Sequence, residues 1–143
     1  MDKTVPQGRV KGTLTPPCSK SYARRARAAA LLTEGESCLR NVEYCDDTRA
    51  ALRCIETLGA SVRGADGGTV TLRGGLRPRD SILRVGESGL STRLFTPTPA
   101  LCDIPATIEG EGTLLSRPMH LMTAPMRAPG HANTDTGGTP PPR

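Results

Sequence analysis

Apolar and polar positions along the chain switch between a period of two residues, typical of strands, and a period near 3.6, typical of helices. Val10 and Leu14 lie on one side of an alternating segment, whereas Leu52, Ile55 and Leu58 recur at helical spacing. Glycine and proline residues separate these segments. The pattern predicts strands at residues 8–15, 37–44, 60–64, 68–75, 81–85 and 106–112, and helices at 19–34, 46–58, 88–96 and 117–127.

The ends of the first two predicted helices carry residues that favour helix starts and stops. Ser19 or Ser21 can cap the first helix, and Gly35 closes it. The Asp-Asp-Thr cluster at residues 46–48 opens the second helix, which Gly59 ends. The resulting order is strand, helix, strand, helix, strand, strand, and it then begins again.

The chain also repeats itself at long range. Gly130 follows Gly59 by 71 residues, and Gly138 follows Gly67 by 71 residues. A period of this size is the signature of repeated structural units. We expect a first α/β unit at about residues 8–75 and a second at about 80–143.

The second copy of the repeat is the poorer one. Pro125 falls inside its second predicted helix, where an interior proline costs about 3 kcal/mol. Pro129 replaces the position of Leu58, and the three prolines at 140–142 fall where the last strand needs hydrogen-bond donors. We therefore expect the tail, residues 125–143, to be irregular.

Composition indicates a light core and an anionic partner. Apolar residues make up 36% of the chain, which has one Phe, two Tyr and no Trp, but 16 Gly and 13 Pro. This balance favours a marginal or incomplete fold. The net charge of +5 suits anions in general. The few aromatic residues and the absence of a long Lys/Arg tract disfavour nucleic acid as the partner.

The cysteines and the apolar runs disfavour several other classes of protein. The five cysteines form no CxxC motif, and His120 and His131 are not spaced to complete a zinc site. An odd number of cysteines favours reduced thiols in a cytoplasmic protein over a disulfide framework. No apolar run approaches the roughly 20 residues of a membrane helix, and the N-terminus lacks a signal-peptide core. We expect no metal and no membrane partner.

The strongest candidate for chemistry is the polar loop that enters the first helix. Lys20 lies in the first helical turn, where a cation is unfavourable against the helix dipole. A bound phosphate or carboxylate would compensate, and Ser21, Arg24 and Arg25 offer a hydroxyl and further cations beside the free N–H groups of the helix start. The alternative is an ordinary exposed basic face beside an Ala-rich buried one.

Two more junctions, at which a strand or loop leads into a helix, repeat this arrangement. Gly86 and Gly89 flank a turn that leads into a helix carrying Arg93. Arg117 directly precedes a proline at the start of the last predicted helix. Each feature alone is also explained by ordinary local structure, as is the acidic pair 46–47 by helix capping. Together, three junctions on one side of a repeated α/β unit predict a concave anion-binding wall.

At these motifs the chain resembles a known family. The segments SKSYARR, CDDTRAALRCIETLGA, VGESGLSTRL and EGTLLSRPM are similar to ordered motifs in the N-terminal part of the 5-enolpyruvylshikimate-3-phosphate synthases, which are enolpyruvyl transferases. The resemblance implies an α/β fold of repeated βαβαββ units, the inverse α/β barrel of that family. About two of its six units would be present here.

The resemblance also implies roles for individual residues. In the family, the matching positions bind phosphoenolpyruvate and shikimate 3-phosphate, without a metal or organic cofactor. The implied contacts are Lys20, Gly89 and Arg117 for phosphoenolpyruvate, Ser21 and Arg25 for shikimate 3-phosphate, and Arg93 for the lining of the cleft. One departure is Glu87, which adds negative charge to a loop that usually carries Asn, or else orients a neighbouring cation. Thr98 and Pro99 interrupt a helix that the family continues.

The implied reaction transfers a carboxyvinyl group from phosphoenolpyruvate to the 5-hydroxyl of shikimate 3-phosphate in aromatic amino acid biosynthesis. The family's acid and base residues come from a part that this chain lacks, so we expect no catalytic residue here and no turnover by this chain alone. A complementary C-terminal half is a candidate partner. The alternatives are a related UDP-N-acetylglucosamine enolpyruvyl transferase, which typically has Asn at the position of Ser21, and a non-catalytic anion-binding remnant.

Overall fold

The computed structural model describes residues 3–64, 68–102 and 104–127. The described part has an α/β fold with helices and strands in alternation. Its elements, in chain order, are α1 (Lys20–Leu31), β1 (Glu36–Arg40), α2 (Asp46–Thr57), β2 (Ser61–Arg63), β3 (Thr69–Arg73), β4 (Ile82–Gly86), α3 (Gly89–Phe95), β5 (Thr107–Gly110) and α4 (Thr123–Arg127), with 3₁₀ turns at Pro99–Cys102, Gly112–Ser116 and His120–Met122.

The two long helices begin at the polar residues that precede them. The hydroxyl oxygen of Ser19 accepts a hydrogen bond from the backbone N–H of Tyr22 at 3.3 Å, which caps α1. Cys45, rather than an aspartate, is the N-cap of α2, and the Thr48 hydroxyl accepts from its backbone N–H at 2.8 Å. Gly59 adopts a φ of 115° immediately after α2, a conformation that ends the helix and favours glycine.

Two small sheets flank the helices. β3 is the central strand of an antiparallel sheet with the order β1-β3-β2, in which Cys38 pairs with Thr71 and Val62 with Leu72. β4 and β5 pair in parallel, with Leu83 opposite Ile108. The parallel pair is separated in sequence by α3, as a crossover connection requires.

The hydrophobic core lies between α1, α2 and the inner faces of the strands. Its members are wholly or almost wholly shielded from solvent and are mostly aliphatic. The largest are Leu31, Ile55, Leu58, Leu72, Leu83 and Phe95, each at most 1% exposed. Removing an aliphatic side chain of this kind to Ala typically costs about 2–5 kcal/mol, so this cluster fixes where the helix N-termini lie.

The predicted strand at residues 8–15 is wrong. No ladder forms there within the described residues, and Val10 and Leu14 are 101% and 79% exposed. Alternation alone does not make a strand, because a strand also needs a neighbour to satisfy its backbone and a surface to bury its apolar side. The other predicted strands are present, although β1 ends at Arg40 rather than at residue 44.

The predicted helix at residues 117–127 is also wrong in most of its length. Arg117 has extended φ and ψ angles of −89° and 132°, which fits a residue that precedes proline. The helical part is limited to α4, where Pro125 is the third residue and lies in the first turn, a position that tolerates proline. The expected irregularity therefore does not apply to residues 125–127, and residues 128–143 lie outside the described part.

The 71-residue period of the sequence can be compared with the spacing of the strands. β1 starts at Glu36 and β5 at Thr107, an offset of 71 residues that equals the offset between the repeated glycines. At the same offset, the short helix α4 corresponds to residues 52–56, the second half of α2. The division of the chain into two units at about 8–75 and 80–143 stays a prediction.

Candidate anion-binding site

One buried arginine brings the starts of three helices together. Arg24, in α1, donates through Nε to the carbonyl oxygen of Lys20 at 3.2 Å. Its Nη1 lies 3.3 Å from the carboxylate of Asp47 in the first turn of α2 and also donates to the hydroxyl of Ser88, the N-cap of α3. A single guanidinium thus spans the three N-terminal ends.

The N-terminal end of α1 presents an exposed basic surface. Lys20, Ser21 and Arg25 are all exposed, in contrast to Arg24 beside them. Arg25 donates through Nη1 to the carbonyl oxygen of Ser21 at 3.4 Å, so its side chain lies back along the first turn. Neither Lys20 nor Arg25 forms an ion pair within the described residues. Their charges remain available to an anion.

The α3 end places Arg117 beside Gly89. A Cβ built on Gly89 would lie 3.7 Å from Nη1 of Arg117, an ordinary contact distance. Since Ser88, which Arg24 contacts, directly precedes Gly89, the guanidinium groups of Arg24 and Arg117 both lie near the turn that starts α3. Of the predicted substrate contacts, Gly89 and Arg117 are therefore neighbours, and Lys20 is linked to the same turn through its backbone carbonyl, to which Arg24 donates.

Glu87 holds this part of the site through polar contacts. Its Oε2 accepts from the backbone N–H of Thr113 at 2.9 Å and from the Thr113 hydroxyl at 2.7 Å. The same hydroxyl oxygen accepts from Nη2 of Arg117 at 3.0 Å. The hydrogen bonds from Thr113, with a smaller contribution from the charge of Arg117, hold the pKa of Glu87 below its usual value. Glu87 thus orients a neighbouring cation, as the second sequence-based interpretation had it.

Arg93 is exposed in the last turn of α3, four residues after Gly89. Residues at this spacing lie on the same side of a helix. The described residues provide it with no ion pair or side-chain hydrogen bond. Its role in lining the cleft stays a prediction.

The residues that connect the site carry little signal in the sequence. The sequence suggests Arg24 only as a further cation for an anion, and its spacing from Lys20 is the available signal for a contact within α1. Nothing in the sequence alone indicated its bonds to Asp47 and Ser88, which join residues 23 and 64 positions apart. Thr113, which links Glu87 to Arg117, carried no signal at all.

The described residues were also searched for other cavities, metal-binding clusters and membrane-spanning helices. A cavity of about 40 Å³ on the three-stranded sheet is lined by Glu36, Ser61, Arg63, Thr71 and Arg73, and shares no residue with the candidate site. Among the described residues, no cluster of three or more His, Cys, Asp or Glu side chains could hold a metal ion. None of the described helices has the length and apolar character needed to cross a membrane.

Comparison with known proteins identifies the family. A model of the EPSP synthase (3-phosphoshikimate 1-carboxyvinyltransferase) family matches residues 5–139. The chain is 37% identical over 120 residues to the 3-phosphoshikimate 1-carboxyvinyltransferase of Halobacterium salinarum, covering 82% of this chain and 28% of the relative. It is 31% identical over 144 residues to that of Hydrogenovibrio crunogenus, covering 97% of this chain and 32% of the relative.

The solved structures agree with the sequence relatives. EPSP synthase from Acinetobacter baumannii superposes with a TM-score of 0.76 at 29% identity, covering 91% of this chain and 31% of that one. The chain belongs to the EPSP synthase family, as the motif resemblance predicted, and shares its α/β enolpyruvyl transferase fold. It spans about a third of the length of the relatives it matches.

Proposed function

We propose that this chain supplies one wall of the substrate cleft of a 3-phosphoshikimate 1-carboxyvinyltransferase. The reaction is the transfer of the carboxyvinyl group of phosphoenolpyruvate to the 5-hydroxyl of shikimate 3-phosphate, with release of phosphate. The observation that carries the proposal is the junction at which Arg24 ties the starts of α1, α2 and α3 together, next to Gly89 and Arg117. The names of the relatives support this substrate pair over a UDP-sugar.

The roles proposed for the site residues are those that the family resemblance implies. Lys20, Gly89 and Arg117 are proposed to bind phosphoenolpyruvate, and Ser21 and Arg25 are proposed to bind shikimate 3-phosphate. Arg93 is proposed to line the same cleft. No metal or organic cofactor is assigned to the reaction.

The proposed cleft is open on one side. Lys20, Arg25 and Arg117 are exposed, so a bound anion would remain largely solvated and its attraction screened by salt. Transfer also requires proton donors and acceptors held at the reacting atoms, and closure of a second wall to orient the substrates. We therefore propose that the 143-residue chain alone binds these anions weakly and has no turnover, and that a complementary C-terminal half would complete the cleft. A cytoplasmic location is proposed because all five cysteines are free thiols.

The test combines turnover with binding. Phosphate release is followed with both substrates present, and binding of shikimate 3-phosphate is measured by isothermal titration, with UDP-N-acetylglucosamine as the competing ligand. We expect no phosphate release and a millimolar Kd for shikimate 3-phosphate. The Lys20→Met and Arg25→Met variants should weaken binding at least about threefold, since each removes one charge from the site.

The matched control is Arg63→Met, because Arg63 is an equally basic residue on the three-stranded sheet. It should bind as the unchanged chain does. Equal loss in the control would show that net charge alone attracts the ligand, and preference for the UDP-sugar would favour the related transferase. Phosphate release by the isolated chain would overturn the assignment of no turnover.

A further inference from the structure

The chain carries an unpaired segment with a strand pattern and a strand edge without a partner. Residues 8–15, here called the N-terminal segment, alternate between polar and less polar side chains as a strand does. Residues 3–17 are all exposed and enter no sheet. β1 pairs with β3 along one edge, and its other edge has no partner within residues 3–64, 68–102 and 104–127. Since an exposed edge is a template for a further strand, the segment and the edge can satisfy each other.

The offset of 71 residues between β1 and β5 shows how the two would pair. At this offset β5 corresponds to β1, and β4 corresponds to residues 11–15 of the N-terminal segment. β4 and β5 pair in parallel, and Val85 of β4 is 0% exposed. Its counterpart, Leu14, is 79% exposed. The N-terminal segment thus fits the free edge of β1 as a parallel strand, and this pairing would bury Leu14.

The register of β4 and β5 also transfers to the N-terminal segment and β1. It places Lys11 opposite Glu36 and Thr13 opposite Cys38. The first of these pairs joins opposite charges, which attract each other across neighbouring strands. The charges of the segment and of the edge are therefore complementary in this register.

The turn that this pairing requires within one chain does not suit the sequence. β4 leads into α3 through Gly86, whose φ of 61° favours glycine. The counterpart of Gly86 is Thr15, which is β-branched and precedes Pro16, and both features disfavour a positive φ. Pro16 and Pro17 also favour an extended backbone between the segment and α1. The N-terminal segment is therefore directed away from β1 of its own chain, whereas β1 of another copy is not subject to this restraint.

We propose that two copies of this chain exchange their N-terminal segments, each of which adds as a parallel strand to β1 of the other copy. A twofold axis relates the two contacts, so the exchange closes as a dimer in which both β1 edges are covered. A second copy is the occupant because the chain carries both complementary parts, the basic segment with Arg9 and Lys11 and the edge that begins at Glu36. The proposal does not depend on the reaction assigned to the chain.

Cross-linking between two copies tests the register. Thr13→Cys places a thiol opposite Cys38, which is exposed and free. Chains labelled with heavy nitrogen are mixed with unlabelled chains and treated with a short bismaleimide, and the linked peptides are identified by mass spectrometry. We expect a link between positions 13 and 38 that joins a labelled chain to an unlabelled one.

The matched control for the cross-link is Thr4→Cys, because Thr4 is exposed but lies outside the N-terminal segment. It should give no link to Cys38. A link between positions 13 and 38 found only within chains of one label would show that the segment pairs with its own chain, and would overturn the exchange. Absence of the link, or an equal yield from Thr4→Cys, would overturn it as well.

The dimer itself is measured by sedimentation equilibrium over a range of concentrations. The mass of the unchanged chain should rise from 15.1 kDa towards twice that value. Leu14→Lys should raise the dissociation constant of the dimer at least about tenfold, because it places a charge where a leucine becomes buried. The monomer should still fold, since Leu14 is exposed in it.

Val5→Lys is the matched control for this measurement. Val5 is 88% exposed and lies outside the N-terminal segment, so the same change of charge should leave the dissociation constant unchanged. A monomer at every concentration, or equal effects of Leu14→Lys and Val5→Lys, would contradict the exchange.

Discussion

The two basic junctions of the candidate site are held in different ways. At the α1 junction, Lys20 and Arg25 belong to a 12-residue helix. Arg24 of the same helix is only 8% exposed and contacts Asp47 of α2 and Ser88, the N-cap of α3. At the α3 junction, Arg117 is positioned through Thr113 and Glu87, all of them exposed. The first junction is fixed by burial, whereas Arg117 at the second junction is held by polar contacts in water, although Arg24 also contacts Ser88 at the start of α3.

This difference predicts unequal rigidity. A buried hydrogen-bonded arginine is costly to displace, whereas exposed hydrogen bonds compete with solvent and contribute little net stability. The α1 junction should therefore behave as a preformed half of the site. The α3 junction should respond to pH and to ligand, because one carboxylate decides how its turn is held.

The largest expected effect comes from Arg24. Arg24→Met removes the ion pair with Asp47 and the hydrogen bond to Ser88, and should lower the free energy of unfolding by about 1–3 kcal/mol. The value stays below that of a fully buried pair because the Asp47 side chain is 32% exposed and can be solvated. Urea denaturation followed by circular dichroism measures the change.

Arg25→Met is the matched control for this measurement. Arg25 neighbours Arg24 in α1 but is exposed, so the change should stay within about 0.5 kcal/mol. Equal effects of the two substitutions would contradict the view that Arg24 anchors the junction.

A smaller effect is expected from acid at the α3 junction. Because the hydrogen bonds from Thr113 depress the pKa of Glu87 below its ordinary value of 4.5, the folded state gains from these bonds above that pH and loses them as pH falls through the lower folded value. The amide resonance of Thr113 should therefore move with a midpoint below pH 4.5. The Gln variant, Glu87→Gln, should abolish this transition, and a midpoint at or above 4.5 would argue against the contact.

Local sequence signals predicted most elements but not the contacts between them. The Ser19 cap, the helical spacing of Leu52 and Ile55, and Gly59 located α1 and α2 because each signal acts within a few residues. The strand at 8–15 was wrong because its formation depends on a neighbouring strand. The bonds of Arg24 to Asp47 and Ser88 could not be predicted, since they depend on how three helices pack.

The site residues show the same limit. Family resemblance indicated Lys20, Gly89 and Arg117 by motif, and the fold places Gly89 beside Arg117 and joins the backbone of Lys20 to the same turn through Arg24. The sequence left two interpretations of Glu87 open, and its carboxylate accepts two hydrogen bonds from Thr113 in the turn before Arg117. The packing of α1 also buries Arg27 completely, which no local signal in the sequence indicates.

The most direct test of a shared anion site is one nuclear magnetic resonance titration with phosphoenolpyruvate. The backbone amides of Ser21, at the α1 junction, and Gly89, at the α3 junction, are followed in the unchanged chain and in Arg117→Met. A single site predicts that both amides saturate with one Kd and that Arg117→Met weakens the response at Ser21 as well as at Gly89. Different Kd values at the two junctions, or a Ser21 curve unaffected by Arg117→Met, would contradict it.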